Sequence, residues 1–273
     1  MPWAVLLLAS LPDNSPLGQA LAGYLYQPAF AIDYELRGPI CPYVPQPGDI
    51  YLATEAWPLA RVGHKVAHSG APHHSGIIFA LPDGRLALLE GGPENTLYIR
   101  TLDLIPQLTK YFDTRRVWIR KRCVPLTAEQ SQRLTAFALA AADRHFAAVR
   151  MVLEAGPFRK KGLLRTPLVG RPHAACFDPD NPEPSMRRKY YCSELVVEAC
   201  VAACLFDAET SRPMSTYPRE LFFGTSQVPY LRKHLDMSDW YPPARWTPCP
   251  GTEPELKQRP WIDGDTDSGH PGP

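Results

Sequence analysis

The stretch APHHSGIIFALPDGRLALLEGG, residues 71–92, opens on adjacent imidazoles, His73 and His74, and closes on a carboxylate, Glu90, after an apolar run. The turn between the runs decides whether these groups meet. Pro82 presets the first αR position, Asp83 suits the second and Gly84 the αL third, which predicts a three-residue hairpin loop of type I turn plus G1 bulge. That loop pairs Leu81 with Arg85, hence Ile77 with Leu89 and Gly76 with Glu90. His74 then shares a face with Glu90, diagonally across the ladder at roughly 7 Å between backbones. A two-residue loop would shift the register by one and send the pair to opposite faces. Burying a lone carboxylate among Leu86, Leu88 and Leu89 is costly unless it is paired, and an imidazole is a suitable partner. A structural His–Glu hydrogen bond explains this segment as well as catalysis does, so a nucleophile has to separate the two readings.

Cys192 is the candidate nucleophile. It falls at the first turn of a helix expected to begin near Ser193, where unpaired amide groups and the helix dipole favour an anion. Of the seven cysteines, Cys200 and Cys204 lie on the apolar stripe of the same helix and read as small buried hydrophobes, while Cys41, Cys123, Cys176 and Cys249 are isolated.

The elements that must position these residues follow from the pattern of the 273-residue chain. The stretches GDIYLAT, SGIIFAL, LALLEGG, LYIRTL and RVWIRKRC read as strands. LTAEQSQRLTAFALAAADRHFAA changes to helical period, with Leu134, Phe137, Ala138 and Ala141 on one face and a capping box at Thr127 and Gln130. YYCSELVVEACVAACLF is a second helix, with Leu195, Val196, Ala199 and Cys200 on its apolar stripe. In MSTYPRELFFG, Pro218 suits the first turn of a short helix buried through Leu221 and Phe222. Strands followed by helices predict an α+β fold. The prolines, 31 in all, crowd residues 39–47, 167–184 and 242–273, which suits loops and tails. The expected organisation is an N-terminal extension over 1–44, a domain over 45–246, and a disordered Pro/Gly-rich tail over 247–273. The loop from Gly156 to Lys189 is long enough to shape a substrate groove or to be a surface insertion.

Lys plus Arg total 29 against 28 for Asp plus Glu, a net charge of +1, so no broad field favours nucleic acid or an anionic membrane. The expected partner is a small-molecule, peptide or acyl substrate, with the oligomeric state open. An odd number of scattered cysteines without a C-x-x-C pair points to a reducing, cytoplasmic compartment. Residues 1–12 are the one stretch suggesting export or membrane association, and they are too short to span a bilayer.

Taken together, QPGDIYLA, HHSGIIFA with LLEGG, and YYCSELVVEAC resemble the circularly permuted papain-like amidases, the YiiX and YaeF type of the NlpC-like cysteine hydrolase superfamily. In ordinary NlpC-type enzymes the cysteine helix precedes the Gly-Asp and His strands. Here the cysteine comes last, the mark of the permuted branch, and the resemblance covers roughly residues 45–225. It implies a permuted papain-like fold, an antiparallel sheet packed against helices, that works without a cofactor. Cys192 matches the nucleophile, His74 the base and Glu90 the residue orienting the ring, with His73 as neighbour. The implied activity is thiol-dependent hydrolysis of amide bonds in peptides, peptidoglycan fragments or N-acyl amino acids. A backbone N–H of Cys192 or Ser193 suits an oxyanion, and Tyr190, Tyr191 and Asp49 of the Gly-Asp element are further substrate candidates.

Other readings remain open. An acyltransferase or thioesterase resembling lecithin:retinol acyltransferase has a similar order of elements, although YYCSEL departs from that group's Asn-Cys-Glu pattern. His64 and His68 are spaced i, i+4 and with His73, His74 and a cysteine would suffice for zinc, but Lys65 stands where H-E-x-x-H carries its glutamate. A protein of the same fold that binds without turnover is the remaining alternative. The basic runs RVWIRKRC and FRKKGLLR read as solvated faces or as a subsite for an acidic substrate group.

Overall fold

The computed structural model describes residues 21–26, 40–54, 70–92, 96–155, 177–226 and 231–249. The opening segment 1–12, His64, His68, Cys176, the run FRKKGLLR and residues 250–273 lie outside them. The chain folds as α+β, with an antiparallel sheet and a few helices. The strands are β1 (Tyr24–Tyr26), β2 (Ile40–Pro42), β3 (Ile50–Ala53), β4 (His74–Ala80), β5 (Leu86–Gly91), β6 (Ile99–Asp103), β7 (Val117–Arg120), β8 (His145–Phe146), β9 (Lys189–Tyr190) and β10 (Ala244–Thr247). Eight of them form one antiparallel sheet in the order β2-β1-β10-β7-β3-β4-β5-β6, while β8 and β9 pair in parallel beside it.

The β4–β5 hairpin has the register expected from its loop. Gly84 sits at φ 85°, its N–H donates to Leu81 O at 2.8 Å, and Leu81 N–H donates to Arg85 O at 2.8 Å. Asp83 accepts from Arg85 N–H at 3.0 Å. Ile77 therefore faces Leu89 and Gly76 faces Glu90.

Both faces of the sheet are covered, which explains apolar runs that do not alternate. On one face Ile50, Leu52, Ile77, Phe79 and Leu89 pack against α2 (Ala128–Ala141) and α4 (Cys192–Ala202). On the other, Tyr51, Ala53, Ile78 and Leu88 pack with Trp246 and α1 (Leu104–Thr114). The remaining helices are α3 (Ala148–Ala155) and α5 (Pro218–Phe223). α2 opens on its capping box: Gln130 N–H donates to Thr127 Oγ1 at 3.1 Å and Thr127 N–H donates to Gln130 Oε1 at 3.0 Å. α5 starts on Pro218, buries Leu221 and Phe222, and ends on Gly224 at φ 69°.

Three expectations are corrected. The sheet runs through both expected domain boundaries, because β1 and β2 lie in the N-terminal segment and β10 ends on Thr247, which pairs with Tyr24. Gly23, at φ 122°, permits this, since a Cβ there would lie 2.2 Å from Thr247 O. Cys204 is exposed and lies beyond α4. It adopts φ 56° and closes a Schellman motif, with Cys204 N–H donating to Val201 O at 2.9 Å and Leu205 N–H to Cys200 O at 2.8 Å. Finally, α4 is buried on every side and not along one stripe.

Candidate active site

His74 is the first residue of β4 and stands opposite Ala53 of β3. Its ring meets Glu90, with Nε2 and Oε2 2.9 Å apart. Gly76 makes this diagonal contact feasible: it lies on the same face between the two side chains and carries none itself. The close approach of β5 also requires glycine here, because a Cβ would fall 2.8 Å from Leu89 O and 3.2 Å from Glu90 Cβ.

Glu90 is fully buried, at 0 % exposure. Its Oε1 accepts from Tyr111 OH at 2.7 Å and from Gln107 Nε2 at 3.2 Å. Tyr111 stacks on Tyr51 with centroids 5.4 Å apart and planes at 12°. Both rings meet the His74 imidazole edge-on, at 6.1 Å from Tyr51 and 6.3 Å from Tyr111.

Cys192 is the first residue of α4, and its side chain comes close enough to the His74 ring to help raise its pKa. With Nε2 directed at Glu90, Nδ1 is the ring nitrogen left for the thiol. Burial by itself disfavours charge on His74, but hydrogen bonds and charge from Cys192 and Glu90 outweigh it and lift the ring from 6.5 to about 10. Cys192 is 3 % exposed and His74 6 %, so the sulfur and ring sit in a largely dry environment where these charges act strongly. Gly91 lies against the cysteine backbone: a Cβ there would stand 3.6 Å from Cys192 N and 3.3 Å from Phe146 Cδ2.

The start of α4 is anchored by buried charge. Tyr191 N–H donates to Glu194 Oε2 at 3.2 Å, and that oxygen also accepts from Arg150 Nη2. Arg187 Nε lies 3.4 Å from Glu194 Oε1 and 2.8 Å from Glu198 Oε1. Burial raises the Glu194 carboxyl against the pull of both arginines, and it raises Glu198 to about 7.

The structure thus brings Cys192, His74 and Glu90 together, and it places the other candidates elsewhere or in fixed roles. Ser193 Oγ donates to Thr216 O at 2.7 Å, which commits its hydroxyl and leaves only its backbone N–H as a candidate. Tyr191 is the N-cap of α4 and donates through its hydroxyl to Pro213 O at 3.2 Å. Tyr190 accepts from Arg187 N–H at 2.7 Å and its ring lies 6.1 Å from that of Phe137 in the core. His73 continues the ladder through its N–H to Ala53 O at 2.9 Å. Asp49 stands at the other end of β3, about 13 Å along the strand from the residue facing His74. There it clamps a corner, accepting from Tyr43 OH at 2.9 Å, Gln46 N–H at 3.1 Å and Arg122 N–H at 2.8 Å. Those three donors hold both of its carboxylate oxygens. Sequence reasoning missed Gln107, Tyr111, Arg150, Arg187 and Glu194. For the first two the signal was present: Leu104, Gln107, Leu108 and Tyr111 have the spacing of a buried helical face.

Among the described residues no group of three or more His, Cys, Asp and Glu side chains is placed to hold a metal ion, and no helix is long and apolar enough to cross a membrane.

No protein-family model matches the chain, and no curated protein matches it in sequence. Among solved structures it is similar to the metalloprotein yiiX from Escherichia coli O157:H7, with a TM-score of 0.38 and 13 % identity over 76 % of this chain and 99 % of that one.

Proposed function

We propose that the protein is a thiol-dependent hydrolase of amide bonds, built as a permuted papain-like enzyme, with Cys192 as nucleophile, His74 as general base and acid, and Glu90 as orienting carboxylate. The observation that carries this reading is one imidazole hydrogen-bonded to a buried carboxylate and raised at the same time by a thiol at a helix start. The proposed chemistry begins with transfer of the thiol proton to His74 Nδ1, giving a thiolate beside an imidazolium. The sulfur attacks the substrate carbonyl carbon, and the oxyanion faces the backbone N–H groups that open α4. The imidazolium donates its proton to the leaving amine as the C–N bond breaks, which leaves an acyl-thioester on Cys192. A water molecule then gives a proton to His74 and attacks the thioester, releasing the acid and the thiol. Glu90 holds Nε2–H throughout, so Nδ1 is the nitrogen that exchanges protons with sulfur and substrate. Peptides, peptidoglycan fragments and N-acyl amino acids are the substrate classes this chemistry serves.

Alkylation with iodoacetamide at about pH 6 tests the reading, because ordinary thiols with a pKa near 8.5 are then almost wholly protonated. Labelling should concentrate on Cys192 by peptide mapping, disappear in Cys192→Ala and slow in His74→Ala. Equal labelling of wild type and Cys192→Ala would count against the proposal. Acyl transfer to an added amine or lipid, faster than release to water, would reassign the enzyme as a transferase.

A further inference from the structure

Glu90 is held from a direction that the three-residue site leaves unexplained. Its two oxygens have different partners. Oε2 faces the imidazole, whereas Oε1 takes both donors supplied by α1, the Tyr111 hydroxyl and the Gln107 amide. These donors stand at i and i+4 of one helix, so a single face of α1 delivers both to one atom. Resting on the hydrolase reading, we propose that Tyr111 and Gln107 are positioning residues that hold Glu90 aimed at His74.

Two physical points favour this over simple packing. A carboxylate held at one oxygen only can turn about its side-chain torsions, whereas two donors on one helix face pin Oε1 and so keep Oε2 on the His74 ring. In addition, the Tyr111 hydroxyl is locked by its ring: the stack on Tyr51 and the edge contact with His74 leave it little freedom to turn away. Burial and the neighbouring Glu90 charge hold Tyr111 far above the usual phenol range, so it remains a donor.

The test uses variants that keep the packing. Tyr111→Phe retains the stack and loses only the hydroxyl; Gln107→Leu keeps the approximate volume and loses the amide. The rate of Cys192 alkylation is followed from about pH 5 to about pH 10, spanning the ordinary thiol value. In Tyr111→Phe the rate near pH 6 should fall about tenfold, the factor equivalent to one pK unit, while rates above about pH 9 should merge with wild type. Gln107→Leu should shift in the same sense by less, and it carries the test if the tyrosine variant does not fold. Profiles superimposable on wild type, or lowered by one factor at every pH, would overturn the positioning role. Absence of preferential Cys192 labelling in wild type is a separate outcome that overturns the hydrolase reading and this inference together.

Discussion

Replacing Glu90 by glutamine removes one charge and alters the volume little, yet it should silence the site. The His74 ring is raised from 6.5 to about 10 by Cys192 and Glu90 acting against burial. That displacement corresponds to ~5 kcal/mol. If Glu90 supplies about half, its neutralisation removes ~2.5 kcal/mol from the imidazolium, a factor of about 70 in its population relative to the neutral ring. Hydrogen-bond directions add to the loss. Because Tyr111 and Gln107 both donate to Oε1, the amide oxygen of Glu90→Gln belongs on that side and its NH2 faces His74 Nε2. Nε2 must then accept, the proton resides on Nδ1, and that nitrogen can no longer take the thiol proton. Alkylation of Cys192 at about pH 6 should therefore drop at least about 70-fold, while above about pH 9 ionisation of the thiol by bulk base should restore most of the rate. Intact-mass kinetics with peptide mapping measures both limbs. A variant that remains folded and reacts at wild-type rate at the lower pH would refute the electrostatic coupling of Glu90 to His74.

The same pair has a signature in stability. Since the folded-state value of His74 is raised, its stabilisation is fully present below about pH 6.5 and is lost as pH rises through about 10. The urea-unfolding difference between wild type and Glu90→Gln should accordingly be largest near the lower value and close toward the upper, and a difference independent of pH would contradict it. Gly76→Ala should destabilise by about 1–3 kcal/mol through overpacking, because its Cβ would meet a backbone oxygen at 2.8 Å; stability equal to or above wild type in urea would show that β5 yields freely. Cys204→Gly should raise the melting temperature by a few degrees, as relief of about 1 kcal/mol at a left-handed C′ position predicts, and an unchanged or lower value would argue against strain at Cys204.

Much of the pairing between His74 and Glu90 was legible because loop chemistry dictated it: Pro82, Asp83 and Gly84 leave one register, and the register fixes the faces. The start of α2 was legible for a similar local reason, the reciprocal bonds of Thr127 and Gln130. α1 was not. Its inward face is half polar, with Gln107 and Tyr111 turned toward Glu90, and Pro106 suggests a break although it sits in the first turn, where its missing N–H costs no helical bond. The buried charges of α4 were not legible either: Arg150 reaches Glu194 from α3 and Arg187 reaches Glu194 and Glu198 from the irregular segment before the helix, and such pairing follows no helical spacing. β1, β2 and β10 are three or four residues each, too short for periodicity to register, and only their mutual pairing makes them strands.

The placement of His74 at the very beginning of β4 has a consequence for the chemistry. Its side chain shares a face with Gly76 and Ile78, the face covered by α1, whereas α4 packs on the opposite face over Ile77 and Leu89. A histidine deeper in the strand would see only one of these layers. At the first residue the ring stands at the sheet's end, beside Gly91 where β5 finishes and where the absence of a side chain admits the backbone of Cys192. The imidazole can then be charged from two sides at once, by a carboxylate held in the α1 layer and a sulfur held in the α4 layer. Each layer has its own anchoring, Tyr111 and Gln107 for the acid, Arg150 and Arg187 for the cysteine helix, so disturbing either set should displace one partner of His74 and leave the other in place.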